Sequence, residues 1–180
     1  MPPAPDLSTM SLAEVAKALA EQRLPPVDQW HPAHCGDSEM RIARDGRWYH
    51  QGSLIGRETM VRLFASILRR EPDDSYVLVT PAEKLDIMVD DVPFIAVEVR
   101  HEGSGPARKM TFRLNTADLV VAGAGHRLRF ADAPYLHVRG GMEARLARPV
   151  YYELAGLAID EGNDPPGLWS DGVFFPVATE

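Results

Sequence analysis

Met40-Arg41-Ile42-Ala43-Arg44-Asp45-Gly46-Arg47-Trp48-Tyr49-His50 is the stretch that decides the fold class. Met40 and Ile42 alternate with Arg41 and Ala43, and an Asp-Gly step then leads into an aromatic run. Alternation at period two sends successive side chains to opposite faces of a strand. Two such runs around Asp-Gly predict a hairpin through a type I′ turn, which needs positive φ at both central residues. Trp48, on a strand directly after that turn, is expected to be largely buried.

The same pattern recurs along the chain. A short Val-rich run at 76–80 is closed by Pro81. Leu85, Ile87 and Val89 alternate with other residues, and Asp90-Asp91 turns the chain into a strand over 93–100. Residues 101–107 read as a polar loop, and Met110, Phe112 and Leu114 alternate with Lys109, Thr111 and Arg113. Shorter strands are expected at 119–121, 128–130 and 136–138, and a second hairpin over 169–175.

Three helices interrupt the strands. Ser11-Leu12-Ala13-Glu14 has the form of a capping box, and Leu12, Val15, Ala16 and Leu19 then form one stripe. The Pro25-Pro26 pair stops that helix. A second is predicted over 57–70 with Met60, Phe64, Ile67 and Leu68 inward. A third runs over 149–159 from Pro149, with Val150, Leu154, Leu157 and Ala158 inward. The Pro-rich residues 1–7 are expected to fray.

These elements give an α+β fold of three helices and mainly antiparallel sheet, in two small subdomains over 1–80 and 81–180. Asp45-Gly46-Arg47-Trp48-Tyr49 and Asp171-Gly172-Val173-Phe174-Phe175 are weakly alike. They are either two ordinary turns followed by buried aromatics or a trace of duplication.

Composition bounds the function. The 180 residues are 45% hydrophobic and 25% charged, as in ordinary globular domains. No apolar run approaches the length that spans a bilayer. The start, Met1-Pro2-Pro3-Ala4-Pro5-Asp6, has no basic region before an apolar core, so no ordinary secretory signal is expected. Cys35 is the single cysteine, which fits a reducing, cytoplasmic location. A net charge of −7 argues against binding extended nucleic acid.

The catalogue of enzyme motifs is nearly empty. Gly123-Ala124-Gly125 lacks the third glycine of a dinucleotide fingerprint, since position 128 is Leu. His31, His34, Cys35 and His50 carry donors suited to zinc, but their spacing fits no finger or ribbon. Neither a metal nor another cofactor is expected, and no catalytic residue is assigned. The segment 126–148 differs: five arginines against two acids give +3 within a chain of −7. Gly140 and Gly141 would let backbone N–H groups approach an anion, and Arg139 and Arg145 offer planar forks for phosphate or carboxylate. The alternative is a solvated face with internal ion pairs, such as Glu143 with Arg145 or Arg148.

Several longer motifs resemble the bacterial domain-of-unknown-function family 1285. They are Trp30-His31-Pro32-x-x-Cys35-Gly36, Met40 to Trp48 as above, Met60-Val61-Arg62-Leu63-Phe64, Val79-Thr80-Pro81-x-Glu83-Lys84, Asp90-x-x-Pro93-Phe94, and Pro134-Tyr135-Leu136-His137-Val138-Arg139-Gly140-Gly141-x-Glu143-Ala144. The resemblance covers about residues 28–160. It implies a duplicated α+β core, with a C-terminal half superficially like a pleckstrin-homology fold. It also implies a site between the halves suited to a nucleotide-like ligand, with a role in signalling. On that basis the ligand-binding residues are expected to be His137, Arg139, Gly140, Gly141, Glu143, Arg145 and Trp48, the last as a base-stacking platform. The other expectations are a hydrolase using His137 and Glu143, and a protein–protein adaptor.

Overall fold

The computed structural model describes residues 7–177, in two units: residues 22–93 with 140–142, and residues 7–21, 94–139 and 143–177. The division falls at Pro93 rather than at 80/81, because 80/81 separates two strands that pair in one sheet. Residues 1–6 of the stretch expected to fray lie outside the described residues, while Leu7 is fully buried.

Helix α1 (Leu12–Glu21) begins at the expected capping box. The Glu14 N–H donates to Ser11 Oγ at 3.2 Å, and the Ser11 N–H donates to the Glu14 carboxylate at 2.6 Å. These bonds favour the ionised acid and hold Glu14 below the usual carboxylate range. The inward stripe is narrower than the spacing predicts. Val15 packs with Leu7 and Leu119, flanked by Met10, Ala18 and Leu19, whereas Leu12 and Ala16 are exposed.

The first sheet contains β1 (His34–Ile42), β2 (Trp48–His50), β3 (Ser53–Leu54), then after helix α2 (Glu58–Ser66) β4 (Leu68–Arg70), β5 (Tyr76–Val79) and β6 (Glu83–Val89). Its order is β3-β2-β1-β6-β5-β4. Two antiparallel meanders, β1-β2-β3 and β4-β5-β6, are joined by parallel pairing of β1 with β6, from His34↔Glu83 to Ile42↔Val89. Trp48 is 1% exposed, with Phe64 stacked 6.4 Å away. Helix α2 is shorter than predicted. Residues 68–70 form β4, and the Ile67 carbonyl already accepts the Val79 N–H at 3.0 Å. Leu68 is therefore buried as a strand residue, and of the expected stripe Met60 is exposed and Phe64 and Ile67 half-buried.

The second sheet contains β7 (Phe94–Glu102), β8 (Lys109–Leu114), β9 (Leu119–Val121), β10 (Leu128–Phe130), β11 (Pro134–Arg139) and β12 (Met142–Leu146). Its order is β10-β11-β12-β7-β8-β9. Again the first strand of one meander pairs in parallel with the last strand of the next, from Ala144↔Phe94 to Leu146↔Ala96. The two halves are duplicates in topology. Met110, Phe112 and Leu114 are each 0% exposed, as their alternation predicts. Helix α3 (Arg148–Glu161) follows, then a separate two-stranded sheet of β13 (Gly167–Ser170) and β14 (Val173–Pro176).

The duplication does not run through the Asp-Gly motifs. Asp45-Gly46 joins β1 to β2, while Asp171-Gly172 joins β13 to β14, which have no counterpart in the first sheet. The turns also differ. At the first, Gly46 (φ 86°) is left-handed and Asp45 is not, and the Gly46 N–H donates to the Ala43 carbonyl at 2.9 Å. This is a three-residue loop with a glycine bulge rather than type I′. At the second, Asp171 (φ 47°) and Gly172 (φ 79°) are both left-handed, and Ser170 pairs with Val173, as type I′ requires.

Candidate functional site

The basic segment spans β10, β11, β12 and the first residue of α3. Strand β12 was hidden in the sequence by its charges, although Met142, Ala144 and Leu146 are buried in strict alternation with Glu143 and Arg145. Gly140 (φ 55°) and Gly141 (φ 77°) form the two-residue turn between β11 and β12. Any other residue would be strained at both, so the turn carries no side chain of its own, and Arg70 Nη1 donates to its Gly141 carbonyl at 2.6 Å.

The charges around this turn are partly offset. Glu143 pairs with Arg129: Arg129 Nη2 lies 3.1 Å and 3.2 Å from its two carboxylate oxygens, and Nε lies 3.3 Å from one of them. The guanidinium also lies over the Tyr135 ring at 4.5 Å. Hydrogen bonding to Glu143 pushes the pKa of Arg129 up. Glu143 is therefore occupied as the partner of a cation.

Arg139 is placed differently. Its side chain is 22% exposed, its guanidinium lies 5.0 Å over the Phe94 ring, and Nη1 is 3.7 Å from Asp118. Burial pushes its pKa down, and Asp118 only partly opposes this. Asp118 also accepts from Thr116 Oγ1 at 2.7 Å. Sequence reasoning missed Asp118 because it reaches Arg139 only through the sheet. Arg145 is half-buried on β12.

His137 Nδ1 is 3.2 Å from the Gly125 carbonyl, and Glu143 is held by Arg129, so these two are not coupled as an acid–base pair. Trp48 belongs to the core of the first sheet and offers no face to a base. Cys35 is exposed with Sγ 3.8 Å from the Ala33 carbonyl, and His34 Nε2 is 4.0 Å from Glu83. Among the described residues no three His, Cys, Asp or Glu side chains converge as metal ligands.

A profile described as Domain of unknown function (DUF1285), N-terminal domain, matches residues 25–92, and one described as Protein of unknown function (DUF1285), C-terminal domain, matches residues 93–177. The chain belongs to the DUF1285 family. The two DUF1285 profiles meet where the two units divide. A crystal structure of a DUF1285 family protein from Silicibacter pomeroyi DSS-3 is 46% identical, covering 94% of this chain and 95% of that one, with a TM-score of 0.81. Another, from Shewanella baltica OS155, is 27% identical and covers 69% of this chain and 92% of that one, with a TM-score of 0.54. No curated protein matches the chain. Among the described residues no helix of this DUF1285 chain is long and apolar enough to cross a membrane.

Proposed function

We propose that this chain is a non-catalytic binding protein for a small anionic ligand of the phosphate or nucleotide type, with a signalling role in the cytoplasm. The ligand is held at the β11–β12 turn, with Arg139 and Arg145 supplying charge and Gly140 and Gly141 supplying backbone N–H groups. The observation that carries this reading is the placement of Arg139. A largely buried guanidinium, set on an aromatic ring, immediately precedes two left-handed glycines. A fork of fixed geometry beside glycine N–H groups suits a tetrahedral or planar anion. Desolvation raises the worth of each hydrogen bond formed there.

The test is a thermal-shift panel of inorganic phosphate, mononucleotides and dinucleotides. A ligand at about 100 times its dissociation constant stabilises by about 2.7 kcal/mol. For a chain of this size that raises Tm by roughly 5–10 °C. Arg145→Ala and Arg139→Lys should each remove the shift while the unliganded variants remain folded. If no member of the panel shifts Tm, the segment is a solvated face held by pairs such as Arg129–Glu143.

A further inference from the structure

His126 and His137 stand together, their ring centroids 6.2 Å apart and their planes inclined by 31°. Each ring is tied down through Nδ1. His126 Nδ1 is 3.2 Å from the His137 carbonyl, and His137 Nδ1 is 3.2 Å from the Gly125 carbonyl. A carbonyl oxygen only accepts, so in the neutral rings each Nδ1 carries the proton and each Nε2 keeps its lone pair. A backbone carbonyl fixing one imidazole nitrogen while the other is left as a donor is the arrangement that orients histidines for metal ligation.

The turn that carries His126 is itself closed. The Gly123 N–H donates to the His126 carbonyl at 2.9 Å, and the His126 N–H donates to the Gly123 carbonyl at 3.3 Å. Asp171 lies against this turn: a Cβ at Gly123 would come within 3.1 Å of Asp171 Cβ and 3.3 Å of its carboxylate oxygen. Glycine at 123 thus lets the Asp171 carboxylate approach the turn that carries His126.

We propose that Nε2 of His126 and Nε2 of His137 together bind a borderline divalent transition cation of the Zn²⁺ or Ni²⁺ type. Imidazole is a preferred donor for these ions. A shared ion would lie about 2.0–2.1 Å from each Nε2, a reach that the 6.2 Å separation of the ring centroids allows. With two protein donors the site is open, and water or a small exogenous ligand completes the coordination. The ion is exchangeable, and folding does not depend on it. The inference stands apart from the anion reading, since neither imidazole is needed there.

The test is titration of the full chain with Zn²⁺ or Ni²⁺ against a chromophoric chelator. One ion per chain is expected. His126→Asn and His137→Asn should each weaken binding at least tenfold, with metal-free Tm unchanged, whereas Cys35→Ser and His34→Asn should leave it as it was. Binding that survives both histidine substitutions, or that is lost with Cys35 or His34 instead, overturns the proposal. Imidazole ¹⁵N spectra of the unsubstituted chain give an answer even if a variant does not fold. Zn²⁺ should displace the Nε2 signals of His126 and His137 together, and unchanged signals would also overturn it.

Discussion

The turn between β5 and β6 and the turn between β11 and β12 occupy the same place in two duplicated sheets, but they handle their backbone groups in opposite ways. In the first, Val79 is fully buried and Thr80-Pro81-Ala82 follows it. Thr80 Oγ1 accepts the N–H groups of Ala82 and Glu83, each at 3.2 Å, so side chain and backbone satisfy one another. In the second, Arg139 stands where Val79 does, and Gly140-Gly141 brings no side chain to the turn. One copy closes its turn with its own hydroxyl. The other has no such hydroxyl: its Gly141 carbonyl accepts from Arg70 Nη1 at 2.6 Å, and its glycine N–H groups are those the proposed anion would meet. Shared topology therefore fixes where the two turns lie, and a few residues decide what each can do.

If the two sheets are equivalent as scaffolds, their cores should be equally costly to damage. Trp48 is 1% exposed in the first sheet and Phe112 is 0% exposed in the second. Truncating a buried aromatic to alanine costs about 3–5 kcal/mol. Both Trp48→Ala and Phe112→Ala should fall in that range in chemical denaturation. A loss under about 1 kcal/mol for either, typical of surface positions, would break the equivalence. The indole Nε1 of Trp48 is buried with no hydrogen-bond partner among the described residues. Trp48→Phe, which removes that group and keeps an aromatic ring against Phe64, should therefore cost less than Trp48→Ala.

A smaller effect separates the turns themselves. Gly140 has φ 55°, and a Cβ added there would meet nothing within 4 Å, so Gly140→Ala isolates backbone strain. The left-handed region costs a non-glycine residue about 1–2 kcal/mol. Thr80→Ala instead removes an acceptor from two N–H groups, worth about 1 kcal/mol for a turn open to water. Adding inorganic phosphate should stabilise the parent chain and the Thr80→Ala variant alike. It should not do so for the Arg139→Lys variant. Equal stabilisation of all three would erase the distinction between the turns.

Much of the fold was legible because it rests on local periodicity. Met110, Phe112 and Leu114 announce a half-buried strand on their own, and Ser11 with Glu14 announces a helix start. The sequence reading failed where periodicity was ambiguous or masked. Ile67-Leu68 continues the helical spacing of Met60 and Phe64, so the end of α2 and the start of β4 could not be separated. Charged Glu143 and Arg145 disguised β12. The Asp-Gly step was informative about a turn but not about its type, because loop length is set by how the flanking strands pair. Of the candidate site, the local charge of the 126–148 segment and its Gly-Gly step singled out the arginines and the glycines, and the family resemblance pointed to the same kind of ligand. The Arg129–Glu143 pair, Asp118 beside Arg139 and the approach of His126 to His137 all depend on strand order, which pairs residues distant in the chain.

The smallest effect concerns how each sheet ends its central parallel pair. In the first, the Asp90 N–H donates to the Ile42 carbonyl at 3.0 Å, and in the second the Ala147 N–H donates to the Ala96 carbonyl at 2.9 Å. After that common bond the halves diverge. Ala147 leads directly into α3, whereas Asp90 turns its carboxylate onto Arg41, whose Nε lies 2.9 Å and 3.1 Å from the two oxygens. That hydrogen bonding holds Asp90 below its ordinary value, despite an opposing effect of burial. The sign follows from linkage. A carboxyl whose pKa is lower folded than unfolded contributes stability above its unfolded pKa of about 3.9, and the contribution is lost as pH falls through the folded pKa. Asp90→Asn should thus be modestly less stable than the parent at neutral pH, with the gap closing in acid below about pH 4. Denaturation midpoints of both proteins measured from neutral pH into acid read this directly. No gap at any pH would mean that the Asp90 carboxylate adds nothing to its backbone bond to Ile42, and that the two sheets close their parallel seams in the same way.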